Sequence, residues 1–445
     1  MELPFQITEI LERLERSGYG AYVVGGCVRD ALMGLEPHDY DITTSALPNE
    51  TERVFSDCRV IETGIKHGTV TVLYKGVGVE ITTFRIDGDY ADGRHPDKVT
   101  FSRRVEDDLS RRDFTMNGIA YSPKIGFVDP FGGEEDIRSG VIRCIGSPER
   151  RFSEDALRIL RAVRFSSTLG FAVERGTAEA MTAHRSDLHK ISAERIFSEL
   201  KRALCGGEIQ RVLSEHPKIF AEILPPLAEQ IGYDQGSRYH DSTLYEHTAR
   251  AVGAVPDEPA LRLAMLFHDM GKPRCRTVGE DGECHYYGHA GISAEIADGL
   301  LVMLKCDNAL RRRVCKIVKY HDLPVDTSRR SVKRRLARYG AELFRDLMLA
   351  QIADGTAQSE LGRTRVDAAR QCLALADKIA AEQPCMTLKE LAVSGCDLRG
   401  IMPPSPLMGK VLAELLDEVL EERLPNNKEA LLQRAAQIAV EQKNN

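Results

Sequence analysis

No stretch of this 445-residue chain approaches the roughly 18 uninterrupted apolar residues that a membrane span requires. The first residues also lack the basic-then-apolar pattern of a signal peptide. The eleven cysteines include no C-x-x-C pair, and their odd total and scatter argue against a disulfide framework or a zinc ribbon. These absences predict reduced thiols, a cytoplasmic setting and no membrane partner. No internal repeat or low-complexity tract is present, so the chain is not a solenoid. Excess positive charge is missing too: the formal net charge is −7, which taken alone weighs against nucleic-acid binding. The sum hides segregation, however. Arginines cluster at 103–104, 111–112, 150–164, 311–313 and 329–338, so an RNA partner stays open. With 42% apolar and 29% charged residues the chain has ample core for a soluble protein. At about 150 residues per domain, its length suggests about three domains.

The most informative stretch runs from Tyr22 to Ser45. A short apolar strand ends in Gly25-Gly26, and the helix that follows carries Arg29 and Asp30 in its first turns. Glycines there let backbone N–H groups approach an anion, and a helix N-terminus favours negative charge. Beyond a turn at Pro37 comes His38-Asp39-Tyr40-Asp41-Ile42. Read as a strand, it places Asp39 and Asp41 on one face. Paired carboxylates repel unless a divalent cation neutralises them, and hard oxygen ligands suit Mg²⁺. A phosphate cradle followed by such a pair is equipment for phosphoryl or nucleotidyl transfer.

Around this stretch, Pro4 to Ser17 reads as an amphipathic helix and Pro48 to Phe55 as another. Gly68–Leu73 and Val77–Phe84 read as a hairpin about Lys75-Gly76. Glu80 lies in its second strand, as either a third metal-facing carboxylate or an exposed strand charge. The segment 85–96, rich in Asp and Gly, reads as a mobile loop. Arg111 and Arg112 then offer two planar forks of donors suited to a triphosphate, with Asp113 beside them to accept from a ribose hydroxyl. Further on, Ser153 to Phe165 reads as a helix with Asp155, Arg158, Arg161 and Arg164 at steps of three. Three arginines so spaced repel one another, so something anionic should sit against them.

The series G-G-x-V-R-D, D-x-D, R-R-D-F-T-x-N and E-D-x-x-R resembles the class II tRNA nucleotidyltransferases, the CCA-adding enzymes and their bacterial poly(A) polymerase relatives. The resemblance implies an α+β fold with a DNA polymerase β-like head at 1–145. An all-α neck at 146–207, an HD-type body at 208–340 and a tRNA-gripping tail at 341–445 would follow. It implies a template-independent transfer of CMP and AMP from CTP and ATP to the tRNA 3′ end. Two Mg²⁺ ions would lie on Asp39 and Asp41, with Glu80 as a further candidate. Gly26, Arg29, Arg111, Arg112 and Asp113 would bind the nucleotide, and Arg161 and Arg164 would contact it too. The tail would reach the tRNA elbow, and the segment 85–96 would help switch specificity from C to A. Asp155 only accepts hydrogen bonds and Arg158 only donates them. Cytosine and adenine both present an amino donor beside a ring-nitrogen acceptor, whereas guanine and uracil reverse that order, so one Asp–Arg pair can admit C and A alone. One departure is Gly118 where alanine is usual, which predicts slightly looser packing. Ile191 to Ile196 resembles the last neck motif, with Ser192 as a helix cap.

Six of the twelve histidines fall between 240 and 321. His247, His268-Asp269, His289 and His321-Asp322 follow the order of an HD phosphohydrolase domain. That resemblance implies a second divalent metal, with Asp322 or Asp326 as the final carboxylate. A basic segment, Ser331 to Tyr339, reads as a solvated face or a tRNA contact. The rival expectations are an A-adding enzyme, a poly(A) polymerase, and a metal phosphohydrolase or RNA-binding module with a silent head.

Overall fold

The computed structural model describes residues 1–88, 99–382 and 384–441. The chain divides into two compact units, Met1–Ala228 and Glu229–Asn445. The first is α+β and the second almost wholly helical.

The first unit opens with α1 (Phe5–Arg16), where Ile7, Ile10, Leu11 and Leu14 recur at helical spacing and are all buried. Next come β1 (Ala21–Val24), α2 (Gly26–Leu32), β2 (Asp41–Thr44), α3 (Pro48–Val54), β3 (Arg59–Gly64), β4 (Thr69–Tyr74) and β5 (Val77–Thr83). β6 (Arg85–Asp87) pairs with β7 (Val99–Phe101), and α4 (Val105–Ser110), β8 (Ala120–Ser122) and β9 (Gly126–Val128) complete the sheet region. Of the expected loop at 85–96, then, the first residues form a strand, and residues 89–96 lie outside the described residues. Among the described residues the main sheet has seven strands in the order β3-β4-β5-β2-β1-β8-β9, with only β2 and β5 parallel. The hairpin turn is as expected: Lys75 and Gly76 both have positive φ (46° and 85°), the pairing that matches strand twist.

β1 is buried on both faces. Val23 joins Ile42, Val70, Val72, Ile81 and the apolar side of α1 in one core, while Tyr22 and Val24 join Phe84, Leu109 and Ala120 in another. This double coverage holds the β1–α2 turn rigidly at the sheet's end.

The helices that follow are α5 (Gly133–Ser139), α6 (Pro148–Glu154), α7 (Leu157–Leu169), α8 (Arg175–Ala183), α9 (Ala193–Leu204), α10 (Ile209–Glu215) and α11 (Pro217–Ile223). Ser153 to Phe165 is therefore two helices rather than one. Asp155 sits at the break with extended backbone (φ −148°, ψ 103°), and its Oδ1 accepts from the N–H of Leu157 at 3.0 Å. An Asp can cap a new helix more favourably than it can sit inside one. Ser192 does occupy the N-cap position of α9, but its side chain makes no capping bond.

The second unit contains α12 (Leu244–Ala254), α13 (Pro259–Phe267), α14 (His289–Met303), α15 (Asn308–Tyr320), α16 (Arg329–Ala357), α17 (Thr364–Ala381), α18 (Pro406–Leu420) and α19 (Lys428–Glu441). α12 begins at a capping box made by Thr243 and Glu246. α16 breaks at Gly340, whose φ is +77°. The basic start of α16 is matched internally. Arg329 and Lys333 reach Glu422 at 2.8 and 3.1 Å, and Arg330 reaches Glu421 at 3.4 Å. α18 and α19 close over their own core of Val411, Leu415, Leu431 and Ile438.

Candidate active site

The antiparallel register places Asp41 opposite Val24, the residue before Gly25-Gly26. Asp41 is thus the first residue of β2, and Asp39 lies ahead of the strand rather than on its face. The cause is that β1 stops at Val24, where the chain turns into α2, so residues 39 and 40 have no strand to pair with. The two carboxylates remain neighbours all the same. Burial pushes the Asp41 carboxyl above its usual range, Asp39 pushes it further the same way, and Arg112 pulls it back. Glu80 joins them from β5: the parallel register of Ile42 against Ile81 sets Asp41 beside Glu80, on the face opposite those buried isoleucines. Asp39 and Glu80 are exposed, and Asp41 reaches the surface at the strand's start while protein atoms crowd its carboxyl.

Next to this edge is a cleft of about 450 Å³. Gly25, Gly26, Arg29, Asp41, Arg111 and Arg112 line it together with Asp113, Asp155, Arg158, Arg161 and Arg164. A side chain at Gly25 would meet the Arg112 guanidinium at 3.0 Å, and φ there is +82°, so the wall needs glycine at this point.

The arginines are held by carboxylates that the motifs did not reveal. Buried Asp108 accepts from Arg111 Nε at 2.9 Å and from Arg112 Nη2 at 3.2 Å. Burial raises its carboxyl pKa, but the two guanidiniums more than offset this and hold it below the usual range. Its spacing of three and four residues from the arginines on α4 was the available signal. Arg29 donates to Asp30 at 2.6 Å and to Asn117 Oδ1 at 2.9 Å. Asn117 in turn donates to Asp113 at 3.0 Å, and Arg161 donates to the other Asp113 oxygen at 2.7 Å. Asp113 is buried with its acceptors occupied by the protein, which keeps its carboxyl ionised well below the usual range despite the burial.

The anionic partners expected beside the α7 arginines are therefore in the protein itself. Arg158 pairs with Glu154 at 2.8 Å, Arg161 with Asp113 and Arg164 with Glu199 at 2.6 Å. Asp155 pairs with Arg195 at 3.0 Å rather than with Arg158. Arg29, Arg161 and Arg164 also surround the Phe165 ring, at 5.0, 5.5 and 3.9 Å. At Gly118 packing is tight, not loose: a Cβ would meet Ile145 Cδ1 at 2.7 Å, so the isoleucine occupies the space an alanine would need.

The second unit brings together five of the six residues expected there. His247, His268, Asp269, His289 and His321 are all buried and pack into one contiguous cluster. Asp322 is not among them: it turns to Arg365 at 3.1 Å. Asp326 caps the turn before α16 through the Ser328 N–H at 2.9 Å. The carboxylate that completes the cluster is Asp354, 3.0 Å from His247 Nε2. It comes from the second half of α16, far along the chain and without a local motif. The cluster opens on a cavity of about 490 Å³ that Lys272, Tyr286 and Arg365 also line.

Comparison with known proteins gives this geometry a family. Residues 21–143 match the poly A polymerase head domain, 170–230 a probable RNA-binding region of polymerase A, and 287–435 the tRNA nucleotidyltransferase domain 2. The CCA-adding enzyme of Limosilactobacillus fermentum is 34% identical over 96% of this chain and 96% of its own. That of Lacticaseibacillus paracasei is 36% identical over 97% of this chain and 95% of its own. The chain belongs to the CCA-adding enzyme family. A solved Bacillus stearothermophilus CCA-adding enzyme in complex with CTP superposes with a TM-score of 0.72 and 31% identity over the full length of both chains. Among the described residues no helix is long and apolar enough to cross a membrane.

Proposed function

We propose that this chain adds the 3′-terminal CCA to tRNA in the cytoplasm, transferring CMP and AMP from CTP and ATP with release of pyrophosphate. The observation that carries the reading is an arginine-walled cleft that Asp41 also lines, with Asp39 two residues before it and Glu80 on the neighbouring strand, in a chain of the CCA-adding family. In the reaction the tRNA 3′-oxygen forms a bond to the α-phosphorus, and the bond from that phosphorus to the pyrophosphate oxygen breaks.

Asp39 and Asp41, with Glu80 on the adjoining strand, offer the hard oxygen donors a divalent cation takes, and Asp39 adds to the cost of ionising Asp41 without one. They would hold two Mg²⁺ ions, which would acidify the attacking hydroxyl and neutralise the triphosphate. Gly26 and Arg29 receive phosphate oxygens at the start of α2. Arg111 and Arg112, fixed by Asp108, hold the triphosphate. Asp113 acts through Arg161 and Asn117, keeping both aimed into the cleft, and Arg164 extends the same wall. Asp155 accepts the amino proton of cytosine or adenine, and Arg158 donates to the adjoining ring nitrogen. The head, neck, body and tail are assigned as 1–145, 146–207, 208–340 and 341–445, with the tail gripping the tRNA elbow. In the second unit, His247, His268, Asp269, His289, His321 and Asp354 form a further divalent-metal site.

The test uses purified protein, Mg²⁺ and tRNA transcripts ending at the discriminator base, at C and at CC. Each receives CTP, ATP, both, or GTP with UTP, and the 3′ ends are sequenced. Addition of C, C and A with arrest is expected. A alone after CC would make the chain an A-adding enzyme, and a long A tract a poly(A) polymerase.

A further inference from the structure

Three arginines of the cleft share one aromatic ring. The guanidinium carbons of Arg164, Arg29 and Arg161 lie over Phe165, at 3.9, 5.0 and 5.5 Å from its centre. Arg161 and Arg164 stand with Phe165 on α7, whereas Arg29 comes from α2, far earlier in the chain. Phe165 is buried and also belongs to the cleft lining. The fully buried Phe114 meets it edge-on, with ring centres 6.0 Å apart and planes at 88°, which fixes the plane of the Phe165 ring.

The cleft thus holds its cations in two ways. Carboxylates take N–H groups at the guanidinium edge: Arg29 gives Nε and Nη2 to Asp30, and Arg161 gives Nε to Asp113. Arg164 gives Nε to Glu199, and among the described residues neither of its Nη atoms hydrogen-bonds to protein. An aromatic face attracts a guanidinium without adding negative charge or occupying an N–H donor. A carboxylate at position 165 would do both and leave less for a phosphate. Gathered cations also need some compensation. Burial and then Arg161 push the Arg164 guanidinium below its usual value, against the pull of Glu199. Of the three, Arg164 is the one nearest the ring.

We propose that Phe165 is a positioning residue for nucleotide binding, a neutral anchor that gathers Arg29, Arg161 and Arg164 for the triphosphate without neutralising them; this rests on the transfer reading of the cleft given above. The ring has no proton to give or take, so it acts through the arginines. It sets how tightly the nucleotide is held rather than the rate of the chemical step. CTP and ATP carry the same triphosphate and are affected alike, which separates Phe165 from the base-selecting Asp155 and Arg158.

The experiment changes the charge distribution of the ring and keeps its shape. The full chain is made with one, two or three fluorines on the phenylalanine at position 165, each of which weakens the negative face that attracts a cation. Calorimetry reads the Kd for CTP and ATP, and addition to transcripts ending at C and at CC reads KM and kcat. Kd and KM should rise stepwise for both nucleotides, to about tenfold with three fluorines, while kcat stays within about twofold. Phe165→Leu, which keeps an apolar side chain and removes the ring, should match the trifluorinated protein. A flat Kd across the series overturns the proposal, since fluorination leaves the packing nearly intact. A fall in kcat at constant Kd, or a rise in Kd for one nucleotide alone, overturns it too. Graded Kd values without any addition to tRNA would keep the role of the ring and overturn the transfer reading instead. Circular dichroism melts of each protein separate weakened binding from loss of fold.

Discussion

The arginine cleft of the first unit and the histidine cluster of the second solve opposite charge problems. In the cleft, Arg111, Arg112, Arg158, Arg161 and Arg164 are positive, and the protein matches them with Asp108, Glu154, Asp113 and Glu199. In the cluster, two carboxylates and four imidazole lone pairs converge with Lys272 as the adjoining protein cation, 2.7 Å from Asp269. The first site is balanced by residues of its own fold, and exposed donors remain for a nucleotide. The second has the donor set proposed above for a divalent ion. A site balanced internally stays in shape when empty, whereas a cluster of buried imidazoles and carboxylates changes its internal charge balance if an ion enters or leaves.

The sharpest break between the two comes from Asp41→Ala. Nucleotide addition should fall by about 10³-fold, while Mn²⁺ bound by the cluster is unchanged; assays of CCA addition and elemental analysis on one preparation check both. Next, Asp113→Asn should destabilise the first unit by about 2 kcal/mol, because the half-buried Arg161 loses its charged hydrogen-bond partner. Hydrogen exchange in α7 would report it, with α12 unaffected. The pH dependence has a definite sign. The folded Asp113 carboxyl lies below its unfolded value of about 3.9, so its stabilisation is complete above that pH and lost as pH falls. The variant should show a shallower loss of α7 protection below about pH 4.

Chelation tests the other side of the comparison. Removing metal should cost the second unit about 2.7 kcal/mol relative to loading at 100 times the dissociation constant. Exchange protection should drop in α12 to α16 but not in α7. Arg195→Ala should relax base choice by about tenfold by freeing the Asp155 carboxylate; competition of CTP against UTP, read by 3′-end sequencing, measures it. The smallest effect is expected from Ser192→Ala, within about 0.5 kcal/mol, since that side chain caps nothing. A calorimetric scan suffices there.

Much of the first site was legible because its parts lie close together in sequence. Gly25-Gly26, Arg29 and Asp41 belong to one β1–α2–β2 passage, and a strand, a glycine turn and a helix are local outcomes of apolar alternation and backbone freedom. The arginines of α7 were legible for the same reason, as helical spacing fixes their common side. Of their partners only Glu154, four residues before Arg158, was within reach of such spacing; Glu199 comes from α9 and Asp113 from the segment before β8. Nor could spacing show that Asp155 leaves the helix: that depends on the break after Glu154 and on Arg195 across from it.

Motifs by themselves determined the family resemblance, and through it the expectation of an α+β head, together with the carboxylates of the D-x-D and the histidines of the second unit. These follow from residue types and short-range periodicity, which the chain carries wherever it folds. Only the tertiary structure decided that Asp354 rather than Asp322 closes the cluster, that the sheet register sets Glu80 next to Asp41, and that Arg161 and Arg164 face Asp113 and Glu199. Each of these is a contact between elements distant in sequence, set by sheet register and helix packing. A one-residue change in register would turn Glu80 to the other face of the sheet without altering a letter of its motif.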